Sequence, residues 1–136
     1  MIIQKIITSG KRKTAIAKAR IKEGTGKITI NRIPYENLKS IFHVLLIKEP
    51  LVLAKEILGE PKFDIEVTIK GGGNESQIEA ARLAIAKAIV EFTKSSEVKK
   101  AFLEYDRSML VADTRRKEPY KPGDSKARSK RQKSYR

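Results

Sequence analysis

Cysteine and tryptophan are absent from these 136 residues, and histidine occurs once. Without cysteine there is no disulfide framework, no thiolate metal site and no redox chemistry at sulfur, which fits an intracellular protein without requiring one. The single His43 falls between Phe42 and Val44 inside a helical pattern, a place for a core or helix-surface residue rather than for a ligand or an acid–base group. Long apolar runs are missing too. The apolar stretches are short and broken by lysine, nothing approaches the ~20 residues of a membrane span, and the N-terminus shows no signal-type apolar region. The expectation is a soluble protein with no membrane partner.

Signs of catalysis are equally scarce. The carboxylates are scattered over surface positions near lysines, with no two set apart in apolar surroundings that would separate their pKa values. Gly71, Gly72 and Gly73 are followed by neither Gly-Lys-Ser nor Gly-Lys-Thr, and they lack the Gly-x-Gly-x-x-Gly spacing of a dinucleotide site. No enzyme, no catalytic residue, no metal and no cofactor are expected.

Two local absences carry more information. From Thr114 to Arg136 there is no Ile, Leu, Val, Phe or Met, yet ten Lys or Arg stand against two acids. From Met1 to Lys22 there are seven bases and no acid, while Glu23 to Asp113 holds thirteen bases and fourteen acids. The net charge of +14 therefore sits at the two ends of an almost neutral middle. A segment with nothing apolar to bury does not offset a backbone-ordering cost of roughly 1–2 kcal/mol per residue, so the last 23 residues should order only on a partner. Clustered Lys and Arg make that partner a polyanion, and nucleic acid is the fitting class. The organisation expected is a globular α/β RNA-binding body over 1–113 and an extended basic C-terminal tail over 114–136. Fully extended, that tail would span about 75 Å at ~3.3 Å per residue.

The middle has enough Ile, Leu, Val and Phe for one ordinary core. Ile2 to Thr8 reads as a strand. Thr14 to Lys22 alternates Ala15, Ala17, Ala19 and Ile21 with Thr14, Ile16, Lys18, Arg20 and Lys22, a second strand joined to the first by a five-residue basic tip, Ser9 to Lys13. After Gly24 to Gly26 a short strand spans Lys27 to Asn31. Pro34 opens a predicted helix to Ile47 with the stripe Leu38, Ile41, Phe42, Leu45 and Leu46, and Pro50 restarts a second helix that ends near Gly59. Phe63, Ile65, Val67 and Ile69 alternate with polar residues as a half-buried strand. Asn74 or Ser76 caps the best helix, whose face is Ile78, Ala81, Ile85, Ile89 and Phe92, and Glu97 to Phe102 is a further amphipathic stretch. The fold class that follows is α+β, a two-layer body with a four-stranded sheet and helices on one face.

The candidate binding residues fall in three places. Lys11, Arg12 and Lys13 crowd a hairpin tip with no acid in the same segment, which favours phosphate contact over an ordinary solvated charge run. Gly71 to Gly73 before a helix suit either a structural turn or close approach of an RNA backbone. The tail combines Arg115, Arg116, Lys117, Lys121, Lys126, Arg128, Lys130, Arg131, Lys133 and Arg136 with Tyr120 and Tyr135; guanidinium forks bind phosphates and the rings can stack on unpaired bases. A DNA-compacting or other basic nucleic-acid-binding protein stays open as an alternative, since phosphate binding does not separate DNA from RNA.

Four ordered segments add a resemblance: TSGKRKTAIAKARI from Thr8, ITINRIPYENL from Ile28, GGGNESQIEAARLAIAKAI from Gly71 and DTRRKEPYKPGDSKARSKRQKSYR from Asp113. Together they cover nearly the whole chain, which resembles the small ribosomal subunit protein nine family in its archaeal or eukaryotic form. That resemblance implies a cytoplasmic, ribosomal, nonenzymatic role in translation, in the head of the small subunit among neighbouring head proteins. It implies ribosomal RNA contacts by Lys11, Arg12, Lys13, Gly71 to Gly73, Arg82, Arg115, Arg116, Lys117, Lys126, Arg128, Lys130 and Arg131. It further implies that Lys133, Tyr135 and above all Arg136 reach peptidyl-site transfer RNA. Tyr135 departs from the bacterial ending Ser-Lys-Arg, and whether its ring stacks on RNA or packs is left open.

Overall fold

A computed structural model describes residues 5–120, 122 and 127. The elements are β1 (Ile6–Arg12), β2 (Ala15–Glu23), β3 (Ile28–Ile30), β4 (Ile33–Pro34), α1 (Ile41–Leu58), β5 (Phe63–Lys70), α2 (Asn74–Thr93) and α3 (Ser96–Tyr105), with single 3-10 turns at Tyr35–Asn37 and Arg107–Met109. They form a sheet of order β1-β2-β5-β3-β4, antiparallel except where β3 runs parallel to β5. The α+β, two-layer expectation holds. Period-two patterning explains it: Ala15, Ala17, Ala19 and Ile21 of β2 and Phe63, Ile65, Val67 and Ile69 of β5 all point inward and are buried, while their neighbours point out. α2 covers that inner face against β1, β2 and β5, and α1 and α3 close the core from the side. Ile21, Ile65, Ile85 and Ile89 are almost fully buried, each contributing roughly 1.5–3 kcal/mol relative to exposure.

Five strands replace the expected four. Asn31 and Arg32 both take positive φ, 50° and 68°, which is the backbone of a two-residue hairpin turn. That turn folds Ile33–Pro34 back onto β3. The Asn31 side chain then accepts a hydrogen bond from the Ile69 N–H at 2.9 Å, fastening the turn to β5.

The first hairpin is longer and tighter than its sequence suggests. β1 continues through Ser9, Gly10 and Lys11 to Arg12, which pairs with Ala15, so only Lys13 and Thr14 remain as the turn. Gly10 does not break the strand because it points inward against α2, where a side chain has no room. The beginning of the predicted first strand, Ile2 and Ile3, lies outside the described residues.

The region after β4 also differs. Pro34 precedes a single 3-10 turn, and one helix, α1, then runs through Pro50 instead of stopping there. The Pro50 ring is fully buried, and its packing offsets the missing N–H that would otherwise cost a helix about 3 kcal/mol. Running the helix from Ile41 rotates the buried stripe to Ile47, Pro50 and Ala54. Ile41, Phe42 and Leu45, expected inside, are exposed by 71%, 73% and 52%. α2 keeps its predicted face, although Gly73 rather than Asn74 or Ser76 occupies the cap position.

Candidate nucleic-acid interface

The β1–β2 turn, the start of the C-terminal segment and the wall of α2 meet around one open groove of about 760 Å3, lined among others by Lys11, Arg12, Glu79, Arg82, Arg107, Asp113 and Arg115. The turn and the segment after Val111 are 101 residues apart in sequence at Arg12 and Asp113. One guanidinium joins them. Arg12 holds Glu79 of α2 through Nε at 2.7 Å and Asp113 through Nη1. Asp113 also takes the Arg115 guanidinium at 2.8 Å and the Arg115 N–H at 2.8 Å. Arg116 donates to the carbonyls of Asp113 and Arg115, both at 2.8 Å. A lone acid at the head of a basic run thus fixes where that run leaves the body.

The cations of the turn divide accordingly. Arg12 is half-buried and matched by two carboxylates, whereas Lys11 and Lys13 are exposed and make no ion pair among the described residues. Lys13 takes φ 53°. A side chain in that left-handed region costs roughly 1–2 kcal/mol, which glycine would avoid at the expense of a more flexible unfolded chain. Lys13→Gly is therefore expected to change stability by under about 1 kcal/mol in either direction in urea melts, while weakening binding to structured RNA several-fold. Equal loss of both would show that the lysine is there for the turn and not for a ligand.

Gly71 and Gly72 continue the same end of the sheet. Both have positive φ, 75° and 71°, and a Cβ on Gly72 would lie 2.6 Å from the Ala15 Cβ and 2.8 Å from its N. These two are glycines because β2 passes beneath them. Gly73, by contrast, faces open space, and its carbonyl accepts the Gln77 N–H at 2.9 Å in the first turn of α2.

Arg82 is not brought to this outer surface. Only 9% of it is exposed, and its guanidinium reaches Glu49 of α1 at 2.5 Å and Asp106, after α3, at 3.2 Å. Burial works against the charge of Asp106, but the hydroxyl and N–H of Ser108 and the Arg82 guanidinium outweigh it and hold that carboxyl below its usual range. Arg82 therefore ties three helical elements together from the groove wall. Sequence reasoning missed its partners because Glu49 and Asp106, like Asp113 beside Arg12, look like ordinary surface acids until the fold assembles them.

Thr114 to Tyr120 is exposed and has no helix or strand, with Lys117 4.8 Å above the centre of the Tyr120 ring. Of the predicted tail residues, Arg115, Arg116 and Lys117 are described; Lys121, Lys126, Arg128, Lys130, Arg131, Lys133, Tyr135 and Arg136 lie outside the described residues. His43, 14% exposed at its side chain, pairs with Glu75 at 2.8 Å and so joins α1 to α2. Among the described residues no group of three His, Cys, Asp or Glu side chains is placed to hold a metal ion, and no helix is long and apolar enough to cross a membrane.

Comparison with known proteins places this arrangement. Residues 10–136 match the family described as ribosomal protein S9/S16. The chain is 52% identical over 131 residues to the small ribosomal subunit protein uS9 of Methanococcus vannielii, covering 95% of this chain and 96% of the relative. It is 51% identical, with the same coverage, to the protein of that name from Methanococcus maripaludis.

Proposed function

The chain belongs to the ribosomal protein S9/S16 family, and from that premise we propose that its body docks on small-subunit ribosomal RNA while its C-terminal segment reaches transfer RNA in the peptidyl site. It is a structural, nonenzymatic constituent of the small subunit of the cytoplasmic ribosome and works in translation. The finer division is our reading: a body over 1–113, a basic tail over 114–136. Lys11 and Lys13 at the turn, the Gly71 to Gly73 loop, and Arg115, Arg116, Lys117, Lys126, Arg128, Lys130 and Arg131 contact ribosomal RNA; Lys133, Tyr135 and Arg136 contact transfer RNA. Arg82, named by the resemblance, acts in this reading by holding the groove wall and not by touching phosphate. The exposed Ile41, Phe42 and Leu45 at the start of α1 suit a protein neighbour in the subunit head.

One observation carries the proposal. Cations inside the fold are matched by carboxylates, as at Arg82 and Arg12, whereas Lys11 and Lys13 are exposed and make no ion pair among the described residues, beside the point where the basic segment departs. Unpaired charge gathered on one side needs an external polyanion.

With about eight phosphate contacts, log K for a small-subunit RNA transcript should fall against log salt with a slope of roughly −5 to −7. A slope near zero would refute RNA docking. Deleting Lys133 to Arg136 should leave folding and sedimentation with subunits intact and weaken transfer RNA in the peptidyl site, read by filter binding; loss of subunit association instead would show that the tail's end serves assembly.

A further inference from the structure

The helices cover one face of the sheet and leave the other open. That alone is ordinary for an antiparallel sheet. What is not ordinary is how its side chains are sorted. Along the paired strands the outward residues form rows: Lys11, Ile16 and Lys70; then Ser9, Lys18 and Thr68; then Ile7, Arg20 and Glu66; then Lys22 and Asp64. In the last two rows each base sits opposite an acid, with Arg20 and Glu66 3.9 Å apart. Asp64 is moreover held ionised below its usual range, chiefly by the Lys27 N–H and also by those of Thr25 and Gly26. The first two rows contain no acid. Lys11, Lys18 and Lys70 are exposed and make no ion pair among the described residues.

A solvated face has no reason to collect like charges at one end, since like charges across strands are destabilising. The cationic rows also border a shallow trough of about 660 Å3 in which Ile7 and Ile16 stand 62% and 42% exposed. The trough is lined at one end by Ile16 and Lys70, next in sequence to the Gly71 loop, and at the other by the paired Arg20 and Glu66, so its cationic end adjoins the surface already proposed to meet RNA.

Resting on that proposal, we infer that the open sheet face is a docking platform for double-stranded RNA: Lys11, Lys18 and Lys70 hold its phosphates, and Ile7 and Ile16 lie against the riboses of its shallow minor groove. Charge complementarity selects a polyanion. The outward rows carry no aromatic ring, which removes the stacking platform that unpaired bases require. A flat aliphatic strip flanked by the hydroxyls of Ser9 and Thr68 instead suits a wide groove edged with 2′-hydroxyls.

The test uses the full chain with a 20-base-pair RNA duplex and a single-stranded RNA of the same length. Lys18→Gln with Lys70→Gln should make the duplex salt slope shallower by about 1.4–1.8, the change for two lost contacts, and lower affinity at least tenfold at moderate salt. Ile7→Ser with Ile16→Ser should weaken duplex binding several-fold with the slope unchanged. Both pairs point outward, so an unchanged thermal midpoint is the control for folding. A wild-type slope that is steep but identical in the lysine variant would overturn this inference and leave the proposed function standing; a flat wild-type slope would remove both. Unchanged RNA binding with loss of a neighbouring protein from variant subunits would show a protein occupant and overturn it too, as would a lysine-variant defect confined to the single strand.

Discussion

Gly10→Ala should destabilise the protein by about 3 kcal/mol, the upper end of what overpacking a close-packed core costs. An alanine Cβ there would lie 2.3 Å from the carbonyl oxygen of Ala80 and 2.8 Å from the N of Ala84. Both are backbone atoms of α2, so no rotamer change relieves the clash; the helix must lift from β1 as a unit. Lifting it has a second cost. The buried Thr8 hydroxyl donates to the Ala84 carbonyl at 2.8 Å, and a shift of a few tenths of an ångström weakens that bond as well.

The measurement is a urea denaturation series read by midpoint, with the slope checked for constancy. Gly10→Ala with Ala84→Gly should be no more stable than Gly10→Ala alone, because the obstacle at Ala84 is its N and not its methyl. Rescue by that second change would contradict the packing described here. Gly73→Ala is the contrasting control: its φ of −90° is open to any residue and a Cβ there meets nothing within 4 Å. It should be neutral or stabilise by up to ~1 kcal/mol through the unfolded chain.

Gly10 also shows what was legible in the sequence and what was not. Periodicity alone places β2, β5 and α2, because their apolar residues repeat at two or near 3.6 and the buried side follows. The same reasoning treats Gly10 as a loop residue, since a glycine beside Ser9 and three bases looks like a turn until a helix backbone is known to lie on it. α1 fails for a related reason. Ile41, Phe42, Leu45 and Leu46 have helical spacing, but so do Ile47, Pro50, Leu51 and Ala54, and only packing against α2 and α3 decides which stripe is covered. β4 is two residues long, too short for any period, and its signal is Asn31 at a left-handed turn position. At the candidate interface the bases were visible from composition and their acids were not. Whether a carboxylate such as Glu49, Asp106 or Asp113 is solvated or committed depends on contacts between residues tens of positions apart.

Arg82→Met should cost about 2–4 kcal/mol, somewhat below the 3–5 expected for breaking a fully buried pair because Glu49 keeps 28% of its side-chain surface in water. The loss comes from stranding the Glu49 carboxylate against α2, not from losing attraction as such. Consequently Arg82→Met with Glu49→Leu should recover most of the stability, and the cycle should return a coupling of at least 1 kcal/mol. The acid limb supplies an independent check. Asp106 has a folded-state pKa below its ordinary 3.8, so its contribution is complete above about pH 4 and is lost as the pH falls through the folded value; without Arg82 that part of the stability profile should flatten only in part, because the Ser108 hydroxyl and N–H still hold the carboxyl down. RNA binding separates the two roles open to this residue. In the folded double variant the affinity for small-subunit RNA should stay within about threefold of wild type, because the guanidinium is turned inward. A folded, stable variant that loses RNA affinity tenfold or more would return Arg82 to the set of phosphate contacts and require α1 or the turn at Asp106 to open when the RNA docks.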